Sequence, residues 1–278
     1  MGFRNLGKKP SPLRDPMIDI HSHILPGMDD GAADLEESLA MCQVAVEDGI
    51  EVIAATPHSW NGQFTNHPAQ ILEKTQELHS ELKAKGFNLE ILPGMEVRVV
   101  PHFGDLYSQG EILALNRRKY FLVEFHPFSA PPAFHALVEH LWSLGYGVVL
   151  GHPEKNLAIQ QNPGYLAVLL AHFRSWEMLV QVSADSLAGE AGPHAARTAR
   201  TLLKQGLVHV IASDAHGAHS RSPRLSRAVK AAEEIVEPEW VRKMVYDIPL
   251  AVLRGSPFPE VWEPQVRSGW QRFKKKWF

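Results

Sequence analysis

Seven short apolar runs recur along the chain, and each is typical of a buried β-strand. They are MIDI (17–20), VIAA (52–55), LEIL (89–92), FLVE (121–124), GVVL (147–150), MLVQV (178–182) and LVHVIA (207–212). Helical spacing between the runs predicts helices near 68–85, 132–144, 163–173, 194–205 and 222–236, whereas 93–120 gives no clear element. Strands and helices that alternate in this way predict an α/β protein with a parallel sheet covered on both faces.

The segment between the first two runs predicts one more helix. Its apolar residues recur on one predicted face, namely Leu35, Leu39, Cys42 and Val46. Asp34, together with Glu37, can cap the first turn, and Gly49 can end the helix. Seven strands without a glycine-rich dinucleotide fingerprint favour a closed barrel over a doubly wound sheet. Because neither a repeat nor a linker interrupts the pattern, we expect a single domain.

The composition is that of an ordinary globular protein. The chain has 278 residues, of which 45% are hydrophobic and 21% are charged, enough for a substantial core. No apolar stretch approaches the length of a membrane span, and the basic leader over 1–16 lacks the apolar segment of a secretory signal. A single cysteine suits a reducing compartment, so we expect a cytoplasmic protein.

Charge is distributed unevenly along the chain. Residues 1–15 carry a net +3 and residues 267–278 a net +5, which leaves −11 on the remainder of a chain whose total is −3. A body this acidic disfavours nucleic acid as a partner. The basic aromatic extension over 256–278 could contact a membrane surface or an acidic partner, although a solvated terminal extension explains it equally simply. The sequence leaves self-association open.

Histidines and carboxylates follow six of the seven predicted strands. In chain order they are His21 and His23, His58, Glu96, Glu124, His152, and Asp214 with His216; Asp30 follows the first strand in a DDG turn. In parallel barrels the carboxyl ends of the strands meet at one face, where active sites are built. With 15 histidines in the chain, roughly one His-x-His is expected by chance. The repeated coincidence with strand ends is therefore what predicts a metal site.

The donor types limit the ion. Five imidazoles and four carboxylates without a thiolate suit manganese, iron or zinc better than copper or an iron–sulfur cluster. Nine donors are too many for one ion, so we expect two or three ions. Three divalent ions against four carboxylates leave a positive pocket, which attracts a phosphate dianion.

The order of these motifs resembles the PHP (polymerase and histidinol phosphatase) superfamily of metal-dependent phosphoesterases. Within it, DIHSHILPGMDDG, ATPH, LPGMEVR, GHPEK and SDAH are similar to the bacterial protein-tyrosine phosphatases of capsular and exopolysaccharide clusters. The resemblance covers about residues 17–255. It implies a distorted (β/α)7 TIM-like barrel with a trinuclear site, usually of manganese. It also implies a tyrosine kinase that controls polysaccharide synthesis as the phosphoprotein substrate.

The resemblance also assigns roles to residues. One ion would be held by His21, His23, Glu96 and Asp214; a second by Glu96, Glu124 and His152; a third by Asp30, His58 and His216. Arg221 matches an arginine that helps to bind phosphate in this family. Lys155 stands where the family commonly has arginine, and it supplies charge without the two-pronged guanidinium geometry.

Four alternatives are weighed against a metal-dependent tyrosine phosphatase. A small-molecule phosphatase, such as histidinol-phosphate phosphatase, is the main alternative on the same barrel. A nuclease or polymerase-associated editing domain is disfavoured by the acidic body. A scaffold with a vestigial site would need a missing ligand, yet all nine positions are filled. A cysteine-based phosphatase is disfavoured because Cys42 lies on a predicted apolar helix face and has Asp48, not arginine, six positions on.

Overall fold

Parallel strands alternate with helices in the computed structural model, which describes residues 15–131, 133–173 and 178–256. The strands are β1 (Met17–Ser22), β2 (Ile50–Ala55), β3 (His58–Ser59), β4 (Glu90–Pro93), β5 (Glu96–Arg98), β6 (Tyr120–Glu124), β7 (Gly147–Leu150), β8 (Met178–Ser183) and β9 (Val210–Ala212). The α-helices are α1 (Leu35–Asp48), α2 (Pro68–Ala84), α3 (Phe103–Ser108), α4 (Ala133–Ser143), α5 (Leu157–Gln161), α6 (Gly164–His172), α7 (Ala184–Ala188), α8 (Pro193–Lys204), α9 (Ser226–Glu233), α10 (Pro238–Arg242) and α11 (Ile248–Arg254).

The predicted leader (1–16) and C-terminal extension (256–278) lie outside the described residues, apart from positions 15, 16 and 256. Shorter helical segments complete the described chain: 3-10 turns at Leu115–Arg117 and Pro153–Lys155, and a π-helical turn at Lys243–Asp247. Within the three described ranges, none of the helices combines the length and the apolar character that crossing a bilayer requires.

Each of the seven predicted apolar runs contains a strand, and two of these strands are followed, after a proline, by a further short strand that was not predicted. Pro57 separates β2 from β3, and Pro93 with Gly94 separates β4 from β5. Proline lacks an amide hydrogen and therefore interrupts a strand ladder. Strand β2 pairs with β4 in one sheet, and β3 pairs with β5 in the other. The described residues thus form nine short strands where the apolar pattern predicts seven.

All pairs of strands are parallel and form two sheets. The three-stranded sheet has the order β1-β2-β4, and the six-stranded sheet has the order β3-β5-β6-β7-β8-β9. The chain after β9 returns to β1, where Ser22 and Ala215 form an isolated parallel bridge and the Asp214 amide donates to the His21 carbonyl over 2.8 Å. The carboxyl ends of the first and last strands are therefore adjacent.

Apolar side chains fill the molecule in two layers. The larger cluster packs the helices against the outer faces of the strands. The smaller, which we call the inner cluster, consists of Ile18, Ile20, Val52, Ala54, Leu115, Tyr120, Leu122, Val149, Leu179, Val210, Ala212, Ile248, Val252 and Leu253. Every one of these side chains is at most 3% exposed. The inner cluster draws on strands of both sheets and on α11, so it ties the sheets into one domain.

Helix α1 confirms the predicted ends and, except for Leu35, the predicted apolar face. The Asp34 side chain accepts a hydrogen bond from the Glu37 amide, and Gly49 ends the helix with φ 95°, a backbone angle that glycine adopts readily. Cys42 is fully buried, whereas Leu35 is 40% exposed. Leu39 and Val46 are partly buried and pack against the core, and the fully buried positions of the helix also include Met41 and Ala45.

Candidate metal centre

The nine residues predicted as ligands lie together at the carboxyl ends of the strands. Their donor atoms form four overlapping groups, each within 4.8 Å: His23, Asp30, His58 and His216; His21, His23 and Glu96; His21, His152 and Asp214; and His58, Glu96 and Glu124. The third predicted set recurs as a group, joined by His23. Glu124 groups with His58 rather than with His152. The assignment of ligands to individual ions stays a prediction.

His21, near the end of β1, and His23, which directly follows the strand, are two positions apart and both point into this cluster, as side chains two apart on an extended chain do. Their Nε2 atoms are 3.3 Å apart. The opposite nitrogens are fixed from behind: His21 Nδ1 contacts Gln181 Oε1 at 2.9 Å, and His23 Nδ1 contacts Asp29 Oδ2 at 2.6 Å. Such partners fix the tautomer and the ring orientation of a metal-binding histidine, leaving Nε2 free to coordinate.

Asp29 organises the turn after β1. Its carboxylate accepts hydrogen bonds from the Gly31 and His58 amides over 2.9 and 2.8 Å, in addition to its contact with His23. Burial alone would raise the pKa of Asp29, but His23 and these hydrogen bonds lower it to about 2. Only glycine fits at position 31, since a Cβ atom there would lie 2.1 Å from the His23 carbonyl oxygen.

Glu96 lies at the centre of the cluster and is completely buried. Its oxygens are 2.7 Å from His152 Nε2 and 2.7 Å from His58 Nδ1, and 3.4 Å from His21 Nε2. Burial would raise the pKa of Glu96, but the neighbouring histidines outweigh it and hold the pKa well below its usual range. Glu96 in turn raises the pKa of His152 to about 9, against the lowering effect of burial.

Several buried atoms of the cluster that could coordinate a metal have no hydrogen-bond partner among the described residues. They are Glu96 Oε2, His58 Nδ1 and Asp214 Oδ1. Glu96 Oε2 and His58 Nδ1 are close to each other, yet their orientation is not that of a hydrogen bond. Buried polar atoms without partners are costly. Atoms that converge without bonding each other are aimed at a common point, so these residues fit a bound cation.

A third group lies at the more exposed side of the cluster. Asp30 Oδ1 is 3.6 Å from His58 Nε2 and 3.5 Å from His216 Nε2, while the His23 and His216 rings lie 3.9 Å apart. Burial and the charge of His23 lower the pKa of His216 to about 2. His216 is therefore neutral, which is the form that coordinates a metal.

Glu124 is held by an arginine that the sequence pattern did not single out. Arg98 donates to Glu124 Oε1 from Nε over 3.2 Å and from its terminal nitrogen over 2.8 Å. It also donates to the Asn61 carbonyl over 3.2 Å. Burial, followed by the charge of Glu96, raises the pKa of Glu124. The guanidinium supplies the charge that keeps this second carboxylate beside the first.

Lys155 and Arg221 converge on Asp214. The Lys155 ammonium donates to Asp214 Oδ2 over 2.8 Å and to Asp185 Oδ2 over 3.0 Å, and Arg221 donates to Asp214 Oδ2 over 3.1 Å. Burial would raise the pKa of Asp214, but Lys155 and His21 lower it well below its usual range. Both predicted phosphate-binding cations therefore lie at the cluster.

Strained backbone marks the same residues. His152, Asp214 and Arg221 have φ angles of 30°, 52° and 47°, in the left-handed region that side chains other than glycine rarely adopt. Such conformations persist where the surrounding structure over-determines them, and they cluster at functional sites. The strands deliver these residues to the rim, and the strained backbone then turns their side chains inward.

A cleft of about 300 Å³ opens above the cluster. The exposed edges of the ligands line it, together with Lys155 and Arg221. Phe64 lies on its wall with its ring parallel to that of His58, at a centroid distance of 6.2 Å. The cleft thus combines a polar floor with an aromatic wall.

Sequence reasoning missed three supporting residues. Gln181 is a polar residue in an otherwise apolar buried strand, Arg98 follows Glu96 by two positions on the same strand face, and Asp29 belongs to the quoted DDG turn. The two strand residues could have been found from the alternation of side chains along a strand. Asp185 accepts a hydrogen bond from Lys155. It follows β8, the strand after which the sequence predicts no ligand.

The sequence as a whole matches a known family. The profile described as "Capsular polysaccharide synthesis, CpsB/CapC" covers residues 17–254. The chain belongs to this family. That membership confirms the resemblance to the phosphatases of capsular polysaccharide clusters.

Two characterised relatives carry the name of tyrosine-protein phosphatase. YwqE of Bacillus subtilis is 38% identical over 219 residues, which cover 78% of this chain and 84% of the relative. CpsB of Streptococcus pneumoniae is 28% identical over 242 residues, which cover 85% and 98%. The similarity therefore covers most of this chain and most of each relative.

Solved structures agree with this relationship. A structure from the crystallography of YwqE and CpsB, described as metal-dependent tyrosine phosphatases, has a TM-score of 0.81 and 34% identity; it covers 89% of this chain and 98% of its own. Histidinol phosphate phosphatase of Lactococcus lactis, complexed with zinc, L-histidinol and phosphate, has a TM-score of 0.52 at 15% identity, covering 79% and 93%. The second likeness concerns the fold alone.

Proposed function

We propose that this protein is a metal-dependent protein-tyrosine phosphatase acting on a bacterial tyrosine kinase that controls capsule or exopolysaccharide synthesis. The observation that carries the proposal is the convergence of nine imidazole and carboxylate side chains on one cleft. The relatives YwqE and CpsB, both named tyrosine-protein phosphatases, support the choice of substrate. Family membership supports the link to capsular polysaccharide.

The proposed cofactor is Mn²⁺, as two or three ions, with iron or zinc as alternatives. The proposed ligands are His21, His23, Asp30, His58, Glu96, Glu124, His152, Asp214 and His216. The absence of thiolate among these donors favours ions of this group. When bound, such ions lower the pKa of a coordinated water from 15.7 to roughly 7 and neutralise charge on a phosphoryl group.

The protein's own cations would bind the phosphate. Arg221 can offer two parallel hydrogen bonds to phosphate oxygens, whereas Lys155 offers a compact point charge. Both line the cleft, so each can contact a phosphoryl group that reaches the cluster. Donors fixed before the reaction stabilise the charge that develops on these oxygens. A phenolate leaving group, with a pKa near 10, reduces the need for a strong general acid.

The described residues offer no cysteine nucleophile at the cleft. Cys42 is completely buried in α1, and burial raises the pKa of its thiol to about 12. A thiolate is the reactive form of cysteine, and it would be negligible here at neutral pH. A hydrolytic route through metal-activated water therefore fits this chain better.

We also propose a domain arrangement and a compartment. The two parallel sheets would be arcs of one distorted (β/α)7 barrel over residues 17–255, and the contact between β1 and the chain after β9 supports closure. Residues 1–16 and 256–278 would be basic extensions of that barrel. A single cysteine suits a cytoplasmic location, where the phosphotyrosine tail of the proposed kinase substrate would be accessible.

The test is phosphate release from a phosphotyrosine peptide with Mn²⁺, compared with the same protein after chelation. We expect turnover that depends on the metal and is lost in Glu96→Gln, while Glu81→Gln, an exposed change on α2, keeps full activity. No turnover above the chelated control would overturn the proposal. A higher kcat/KM on histidinol phosphate than on the peptide would instead favour the small-molecule phosphatase.

A further inference from the structure

A second cavity, of about 440 Å³, adjoins the cleft on its Arg221 side. Arg221 lines both cavities. Asp185 lines the second cavity and accepts a hydrogen bond from Lys155, which lines the first. The wall between the cavities therefore consists of the residues that we assign to phosphate binding. A ligand whose phosphate contacts Arg221 can extend directly into the second cavity.

Cationic and hydroxyl groups dominate this second cavity. Arginines recur at every third position in RSPRLSR, and Arg224 and Arg227 line the cavity with Arg221. Both acidic side chains of the cavity are already paired, because Asp185 accepts a hydrogen bond from Lys155 and Glu190 accepts one from Arg227. Among the described residues, the acidic partner of Arg224 is the exposed Glu47 at the long distance of 3.9 Å, and exposed pairs of this kind contribute little. The hydroxyls of Ser220 and Ser222 add donors.

The positive charge of this cavity contrasts with the net negative charge of the rest of the molecule. The chain outside its two basic ends carries a net charge of −11, so an acidic polypeptide is repelled by most of the surface. A local concentration of arginines reverses that repulsion at one place. Guanidinium groups bind carboxylate and phosphate through paired hydrogen bonds. The cavity is therefore built for an anionic group carried by the same ligand that enters the cleft.

We propose that this cavity binds an anionic side chain close to the phosphotyrosine in the phosphoprotein substrate. The proposal rests on the proposed function, and it names a feature of the substrate: an acidic residue, or a second phosphorylated residue, beside the one hydrolysed. Arg224 and Arg227 would determine substrate specificity without contacting the reacting phosphate.

The test compares peptides with one phosphotyrosine analogue that resists hydrolysis and with either glutamate or alanine at successive flanking positions. Fluorescence anisotropy with the Mn²⁺-loaded protein measures their affinity. We expect the best glutamate peptide to bind about tenfold more tightly than the alanine peptide, a difference of about 1.4 kcal/mol. Arg224→Ala combined with Arg227→Ala should remove that advantage and leave the alanine peptide within twofold.

The matched control removes two positive charges elsewhere. Arg197→Ala combined with Lys204→Ala changes exposed residues of α8 that line neither cavity, and it should keep the preference for glutamate. Equal affinity of the glutamate and alanine peptides for the unaltered protein would overturn the proposal. An equal loss in the α8 control would also overturn it, because the attraction would then be a general charge effect.

Turnover separates this proposal from the proposed function. The Arg224 and Arg227 double variant should hydrolyse para-nitrophenyl phosphate at the unaltered rate, while its KM for the cleavable glutamate peptide rises about tenfold and kcat stays within twofold. If no phosphate ester is hydrolysed at all, the proposed function fails, and the anisotropy comparison still decides whether the cavity binds the anion. A peptide with phosphotyrosine in place of the flanking glutamate distinguishes a carboxylate site from a phosphate site, according to which binds more tightly.

Discussion

The inner faces of the strands carry two layers that lie only two residues apart. Leu122 precedes Glu124 by two positions on β6, and Leu179 precedes Gln181 by two positions on β8, so each pair shares one face of its strand. The first member of each pair belongs to the apolar inner cluster. The second belongs to the metal centre or supports it. The sheet thus changes from packed hydrocarbon to dense charge over about one strand repeat.

The two layers are stabilised in different ways. In the inner cluster, side chains satisfy one another by packing, and burial of apolar area stabilises the fold. In the metal centre, buried carboxylates and imidazoles lack partners among the described residues at several atoms. Their positive and negative charges hold one another in place, but a cation would complete them. Changes in the first layer should therefore affect stability, and changes in the second should affect metal binding and turnover.

The largest effect is expected for Glu96→Gln. Glu96 contacts histidines of three different strands and strand ends, so the loss of its charge should disrupt the whole centre. We expect phosphotyrosine hydrolysis to fall at least about a thousandfold, equivalent to about 4 kcal/mol. Metal content measured by elemental analysis should fall in parallel. Retention of both would contradict the central position of Glu96.

Leu179→Ala tests the apolar inner cluster. Leu179 is 1% exposed, and truncation of such a leucine should cost about 2–5 kcal/mol in the free energy of unfolding. Denaturant unfolding measures that cost. Per folded molecule, kcat and metal content should stay within about twofold of the unaltered protein. A large loss of metal from the folded variant would show that the two layers are not independent.

Asp29→Asn weakens the support of the metal centre without removing a ligand. The amide keeps a similar shape but loses the charge that orients His23. We expect metal affinity to fall about 10–100-fold, the usual effect of changing such a supporting group. Competition with a chelator measures it, and saturating Mn²⁺ should restore most of the activity. Activity that excess metal does not restore would assign Asp29 a more direct role.

Lys155 is expected to have a smaller effect than the ligands. Lys155→Met removes the charge and should lower kcat/KM on the phosphopeptide about tenfold. Lys155→Arg retains the charge and should stay within about threefold, because a guanidinium can also contact Asp214 and phosphate. Equal losses in both variants would mean that geometry, rather than charge, determines the contribution of this residue.

Cys42→Ala should produce the smallest effect. We expect kcat and KM to stay within about twofold, since the thiol is buried away from the cleft. The high pKa of Cys42 also predicts that iodoacetamide modifies the folded protein slowly at pH 8, where the thiolate fraction is minute. Mass spectrometry measures the modification. Rapid labelling together with inactivation would revive a cysteine-based mechanism.

The sequence predicted the elements of the fold through its strongest patterns. Every apolar run contains a strand, and capping by Asp34 and Gly49 set the ends of α1 correctly. The breaks at Pro57 and Pro93 were not predicted, although a residue without an amide hydrogen is a visible signal for them. On the apolar face of α1, Leu39, Cys42 and Val46 pack against the core as predicted, whereas Leu35, in the first turn, is exposed.

The site was predictable as a set of residues but not as a geometry. Parallel strands bring their carboxyl ends together, so the gathering of His58, Glu96 and His152 followed from strand order. The contacts that fix the ring orientations of His21 and His23, from Gln181 and Asp29, depend on tertiary packing. The pairing of Lys155 with Asp185 joins segments 30 positions apart, and no local pattern specifies it.

The most direct test of this account is anomalous diffraction, recorded near the manganese absorption edge, from crystals grown with Mn²⁺. The account predicts two or three peaks inside the cluster, each within coordination distance of donor atoms from several strand ends, and Glu96 in contact with more than one ion. An absence of peaks there, with manganese only at scattered surface carboxylates, would contradict it.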